Sequence, residues 1–187
     1  MIDHFGLLAP IYDRIIPAPK PGILEEKLRL PTAGTLLDVG GGTGRVAAAL
    51  RPYVDRIVIS DVSPKMLSQA QDKGLICPVV SYVEQLPFPD NGFERVLVVD
   101  ALHHFASQEE AVAELVRVLK PGGRLVIEEP DLQHFSVKMI AVMEKVTLMQ
   151  SRFYHPQAIA DMVTACGVPA HVEDDGRFNA WVIADKA

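Results

Sequence analysis

Cysteine is scarce: Cys77 and Cys166 are the only two in 187 residues, with no Cys-x-x-Cys pair and no Cys/His spacing of the kind that holds zinc. A disulfide framework is not declared, and a reducing cytoplasm is the expected compartment. Positive charge is also short. Eighteen Lys and Arg against 24 Asp and Glu leave a net charge of −6, so there is no overall basic field to release counterions from a phosphate backbone. Neither nucleic acid nor an anionic membrane is expected as a partner. Long uncharged apolar runs are missing as well, and Asp3, Asp13 and Arg14 interrupt the first thirty residues. Neither a secretion signal nor a membrane anchor is expected.

What is present is ordinary globular material, 49% apolar and 22% charged, in a length that suits one compact domain over 1–187. Apolar runs of strand length alternate with helix-length segments, which calls for a mostly parallel sheet with helices on both faces. The strand candidates are Gly34–Val39, Arg56–Ser60, Cys77–Ser81, Arg95–Val99 and Arg124–Glu128. Each is nearly continuous in Val, Ile and Leu, as strands buried on both faces are. Ser63-Pro64 supplies a helix start and Gly74 its stop. Ser107 and Glu110 read as a capping box for a helix that carries Val112, Leu115, Val116 and Leu119 on one face and stops at Pro121-Gly122-Gly123. A further helix runs from Pro156 to Cys166 and ends at Gly167. Cys166 shares its apolar face with Ile159, Met162 and Val163, which reads as a buried, inert thiol. Around Asp174-Asp175-Gly176, His171–Glu173 and Phe178–Ala184 read as an antiparallel hairpin closing a sheet edge. Residues 1–30, broken by Pro10, Pro17, Pro19 and Pro21, read as a helical cover.

The segment from Leu36 to Ala47, with Asp38, Gly40, Gly42 and Gly44, is a strand running into a glycine-rich turn and then a helix. Without Cβ atoms such a turn folds tightly and lets a ligand approach the main chain. Asp61 stands at the end of the next strand, where a carboxylate accepts from both hydroxyls of a ribose. Together they point to an adenosine-type ligand. Gly42-x-Gly44-x-x-Ala47 also satisfies the dinucleotide fingerprint, so on these residues alone nicotinamide cofactors stay open.

With Asp38 ahead of the loop, the chain resembles the class I S-adenosylmethionine-dependent methyltransferases. The resemblance continues in order through Leu86-Pro87-Phe88-Pro89-Asp90-Asn91-Gly92-Phe93-Glu94, Leu102-His103-His104 and Leu119-Lys120-Pro121-Gly122-Gly123. These are similar to the small-molecule branch that includes quinone-biosynthesis C-methyltransferases. It implies a doubly wound, Rossmann-like sheet, S-adenosyl-L-methionine as cofactor, and a small, partly apolar molecule as methyl acceptor. Carried over, Asp38, Gly40, Gly42 and Gly44 would hold the methionine end and Asp61 the ribose. Met66 would pack near the adenine, and Asp100 would lie beside the sulfonium. Tyr82-Val83 stands where the family has Asp-Ala. Tyr82 would meet the adenine through its hydroxyl or by stacking.

For an acceptor with a proton to lose, His103 is the expected base, with Asp100, Tyr12 and Glu128 behind it. Residues 131–154, with Phe135, Met139, Met143 and Met149, are expected to form a substrate lid together with the N-terminal segment bearing Tyr12; the same methionines would also suit a core. Two other readings remain beside methyl transfer: an NAD-dependent oxidoreductase, and a non-catalytic module that binds S-adenosylmethionine for regulation or as a scaffold.

Overall fold

A computed structural model describes residues 22–74, 77–130, 152–176 and 179–187. The expected N-terminal cover up to residue 21, with Tyr12, lies outside the described residues. So do most of the expected lid, including Phe135 and the three methionines, and Phe178, the first residue of the expected second hairpin strand. Seven strands form one sheet: β1 Thr32–Val39, β2 Val54–Asp61, β3 Pro78–Val80, β4 Phe93–Val99, β5 Leu119–Pro130, β6 Ala170–Asp174 and β7 Asn179–Asp185. Their order is β3-β2-β1-β4-β5-β7-β6. The first five pair in parallel, while β7 runs antiparallel to both β5 and β6. The helices are α1 Ile23–Leu28, α2 Arg45–Leu50, α3 Pro64–Asp72, α4 Gln108–Val118 and α5 Pro156–Ala165.

Both sheet faces are covered, which explains why the strands read as unbroken apolar runs. Successive side chains point to opposite faces, and the core divides accordingly. Leu37, Val96, Val98, Leu125, Ile127 and Val182 pack with α4 and α5. Leu36, Leu97, Val99, Val126, Trp181 and Ile183 pack with α1, α2 and α3. At the end of the sheet away from the glycine turn, Arg124 forks onto Asp185 with bonds of 2.7 and 2.6 Å and donates to the Lys27 carbonyl. Arg95 donates to the Leu28 carbonyl. One buried and one half-buried guanidinium thus take up carbonyls at the C-terminal end of α1, where cations are favoured.

Three local expectations are corrected. Ser107 makes no side-chain cap bond; instead Glu84 Oε1 accepts from the Ala106 and Ser107 N–H groups at 2.9 and 3.2 Å, and a carboxylate is the favoured partner at a helix start. The segment Leu119–Gly123 does not only end α4 but already belongs to β5, with an irregular register between Phe93 and Arg95. Cys166 is exposed, because it follows the last helical residue as the cap and so leaves the apolar face.

Leu97 is fully buried in the central strand β4. Leu97→Ala is expected to lower the unfolding free energy by about 2–5 kcal/mol, the usual cost of such a truncation. Denaturant titration checks this.

Candidate active site

The chain leaves β1 toward β2 on one side and, after β3, returns to β4 on the other. Parallel sheets leave a crevice at such a reversal, beyond the carboxyl ends of the strands. A cavity of about 210 Å³ lies there. Its wall takes Asp38 and the glycine turn from the end of β1, and Ser60 and Asp61 from β2. Met66 comes from α3, Ser81 to Glu84 from the loop after β3, and Val99 to Ala101 with His104 to Ala106 from the end of β4.

The glycine turn is pinned to its neighbours by main-chain and carboxylate bonds. Gly40 N–H donates to the Ser60 carbonyl at 2.8 Å, and Gly42 N–H donates to Asp61 Oδ2 at 2.9 Å. The other Asp61 oxygen accepts from Ser63 N–H at 2.8 Å, just ahead of α3. Asp61 therefore braces the turn as well as lining the cavity, and a carboxylate oxygen accepts at more than one site. Gly40, at φ 69°, has no room for a side chain: a Cβ would stand 2.7 Å from that of Ala101. Gly42, at φ 54°, faces the cavity, where a Cβ would meet Asp61 and Met66 at 3.8 Å. Both need the left-handed backbone that glycine adopts without strain.

Asp38 is the electrostatic centre. It is fully buried, and its Oδ2 finds no hydrogen-bond partner among the described residues. Burial pushes its carboxyl up to about 7; Arg45 pulls the other way and Asp61 adds to the rise. Arg45 also reaches Asp100 Oδ2 at 3.3 Å. Asp100 holds a left-handed φ of 50° at the end of β4, a conformation that costs energy for a residue with a side chain and is often met at functional sites. Its carboxyl is raised by burial and by the nearby Glu129.

Eight of the ten residues expected from the sequence line this cavity: Asp38, Gly40, Gly42, Asp61, Met66, Tyr82, Val83 and Asp100. Two do not. Gly44 caps the start of α2 in a left-handed turn. His103 is buried behind the wall, its Nδ1 2.6 Å from Glu129 Oε2, and its neighbour His104 takes the wall position. Burial, with His103 beside it, pushes the His104 imidazole down to about 3. Tyr82 stands at the mouth, 62% exposed. Sequence reasoning missed Arg45, Glu84 and Phe105 as wall residues. Arg45 follows directly on the last glycine of the turn, which was the available signal; Glu84 and Phe105 carried none.

Among the described residues no group of His, Cys, Asp and Glu is arranged to hold a metal ion, and no helix is long and apolar enough to cross a membrane.

Comparison with known proteins points one way. The family described as a methyltransferase domain matches residues 37–127. The ubiquinone/menaquinone biosynthesis C-methyltransferase UbiE of Pseudomonas fluorescens (strain SBW25) is 37% identical over 125 residues, covering 62% of this chain and 47% of the relative. The protein of the same name from Bordetella avium (strain 197N) is 32% identical over 161 residues, 71% of this chain and 63% of the relative. The chain thus spans about half to two thirds of the length of these relatives. A Thermotoga maritima structure described as a SAM-dependent methyltransferase, possible histamine N-methyltransferase, superposes with a TM-score of 0.80 at 22% identity over 98% of both chains.

A carboxyl raised in the folded state gives stability that is fully present below its ordinary value near 3.8 and is lost as pH rises through about 7. Asp38→Asn removes that loss. The unliganded variant is expected to melt above the parent at pH 8, with a smaller gain at pH 5, as thermal melts at the two values would report.

Proposed function

We propose that this chain, whose residues 37–127 match a methyltransferase domain and which is similar to quinone-biosynthesis C-methyltransferases, is a class I S-adenosylmethionine-dependent enzyme that transfers a methyl group from S-adenosylmethionine to a small, partly apolar molecule. One observation supports the reading above the others: a buried Asp38 oxygen with no partner among the described residues, beside a glycine turn that opens on the same cavity as Asp61. A buried acid without a partner is costly, and a cationic ligand group meets that cost.

In this reading Asp38 and Gly40 to Gly42 hold the methionine end, with Gly44 keeping the turn in shape from the start of α2. Asp61 holds the ribose, and Met66, Val83 and Tyr82 surround the adenine. Bound S-adenosylmethionine supplies an electrophilic methyl on a sulfonium. The chain's own part is to orient the acceptor and exclude water. Asp100 and His104 face the cavity from the β4 side. His104, held neutral, accepts a hydrogen bond from the acceptor, whereas Asp100, with its raised carboxyl, takes a proton where the acceptor has one to lose. His103 acts from behind the wall rather than at it. The names of the curated relatives favour a phenolic or quinol ring as the acceptor class.

S-Adenosylhomocysteine is expected to bind and to raise the melting temperature, and NAD to do neither. Binding of its ammonium next to Asp38 requires the carboxylate. Affinity is therefore expected to fall about tenfold per pH unit below about 7, with proton release on binding at pH 6. Calorimetry in buffers of different ionisation enthalpy reads both. Binding of NAD in place of S-adenosylhomocysteine would defeat the proposal.

Asp61→Ala removes the ribose partner and the brace on Gly42 together. The expected loss is about 1.5–3 kcal/mol of binding free energy, or roughly 10- to 150-fold in Kd. Unchanged affinity by the same titration would make Asp61 a brace only.

A further inference from the structure

Behind the cavity wall, Glu129 sits at the end of β5 with only 5% of its surface exposed. Both of its oxygens are occupied by one short turn. Oε1 accepts from Ala101 N–H at 3.1 Å and from Leu102 N–H at 2.8 Å. Oε2 lies 2.6 Å from His103 Nδ1. The carboxylate is the natural acceptor of this pair, which assigns the proton to His103 Nδ1. The His103 ring stacks on Phe153 at 4.3 Å and stands 4.0 Å from the ring of His104. His104 and Phe105 are the wall.

The turn has a second set of ties. Gln108 Nε2 donates to the carbonyls of Leu102 and Arg152, and Arg152 N–H donates to the His103 carbonyl at 2.8 Å. The carboxylate therefore stands where the end of β5, the turn after β4 and the approach to α5 meet. Gly40 is part of the same junction, since it lies against Ala101.

We propose that Glu129 is a positioning residue for the acceptor side of the cavity: one carboxylate sets the Ala101–His104 backbone with one oxygen and the His103 ring with the other, and through the tilted contact between the two imidazoles sets His104. Only the word acceptor rests on the methyltransferase reading; the geometry stands without it. The division of labour between the two oxygens separates this role from simple core filling. A glutamine keeps an acceptor for the two N–H groups but presents an amide donor to His103. An alanine removes both.

The test uses Glu129→Gln and Glu129→Ala in the whole chain, read by long-range proton–nitrogen NMR of the histidine rings, amide hydrogen exchange and calorimetry with S-adenosylhomocysteine. The parent is expected to show His103 as Nδ1–H. Glu129→Gln is expected to switch it to Nε2–H while leaving Ala101 and Leu102 protected and the Kd within about threefold. Glu129→Ala is expected to lose that protection, to shift the His104 ring signals and to weaken binding about tenfold, the effect of one good hydrogen bond. The proposal is overturned by an Nε2–H His103 in the parent. It is equally overturned by a Glu129→Ala protein with unchanged amide protection, His104 signals and Kd. Should the alanine variant not fold, Glu129→Gln decides alone: a switched tautomer with retained protection supports the proposal, and an unswitched one overturns it. Failure of the parent to bind S-adenosylhomocysteine would defeat the methyltransferase reading, while the ring and exchange data would still decide the role of Glu129.

Discussion

The reversal of strand order at β1 is the constraint on which the remaining structure depends. β1 lies between β2 and β4, pairs in parallel with both, and is the strand from which the chain turns to one side and later comes back on the other. No covering loop spans both connections at that point. The glycine turn fills the start of the gap, and Asp61 and Asp100 close it from the two neighbouring strands. The turn keeps its shape because Ser60 and Asp61 supply acceptors for its N–H groups. A residue that reads as a ligand-binding acid is thus also part of the scaffold.

Much of this was legible because the signals are local. A strand buried on both faces is written as a continuous apolar run, and all five such runs proposed from the sequence overlap parallel strands of the sheet. The start of α3 at Ser63-Pro64 is equally local: the Ser63 hydroxyl accepts from Met66 N–H. Asp38, Gly42 and Asp61 were legible for the same reason, since each stands at a strand end or in the turn that follows one.

What escaped the sequence is settled by neighbours distant in the chain. Ser107 carries the right residues for a capping box, yet Glu84 reaches the helix start first, and nothing in the spacing of Ser107 and Glu110 reports an acid from another loop. His103 and His104 are adjacent and identical in type. Which of them faces the cavity is decided by Glu129, far along the chain on β5. The segment from Leu86 to Phe93 matched the family in sequence, but its geometry is that of a staple. Arg117 donates to the carbonyls of Leu86 and Phe88, Glu114 accepts from Leu86 N–H, and Phe88 packs edge-on against Phe93.

Glu128 and Glu129 are consecutive acids at the end of β5, and strand alternation sends them to opposite sides of the sheet. Glu128 takes the Trp181 indole and the Asn179 amide, while Glu129 takes the turn after β4. This part of the chain is therefore intolerant of a change in length, because the two carboxylates serve different layers. A single residue inserted after Val126 would exchange the two faces, turning each carboxylate into the layer built for the other. Insertions and deletions therefore belong to the loops beyond β5, where they leave the alternation of its two faces intact.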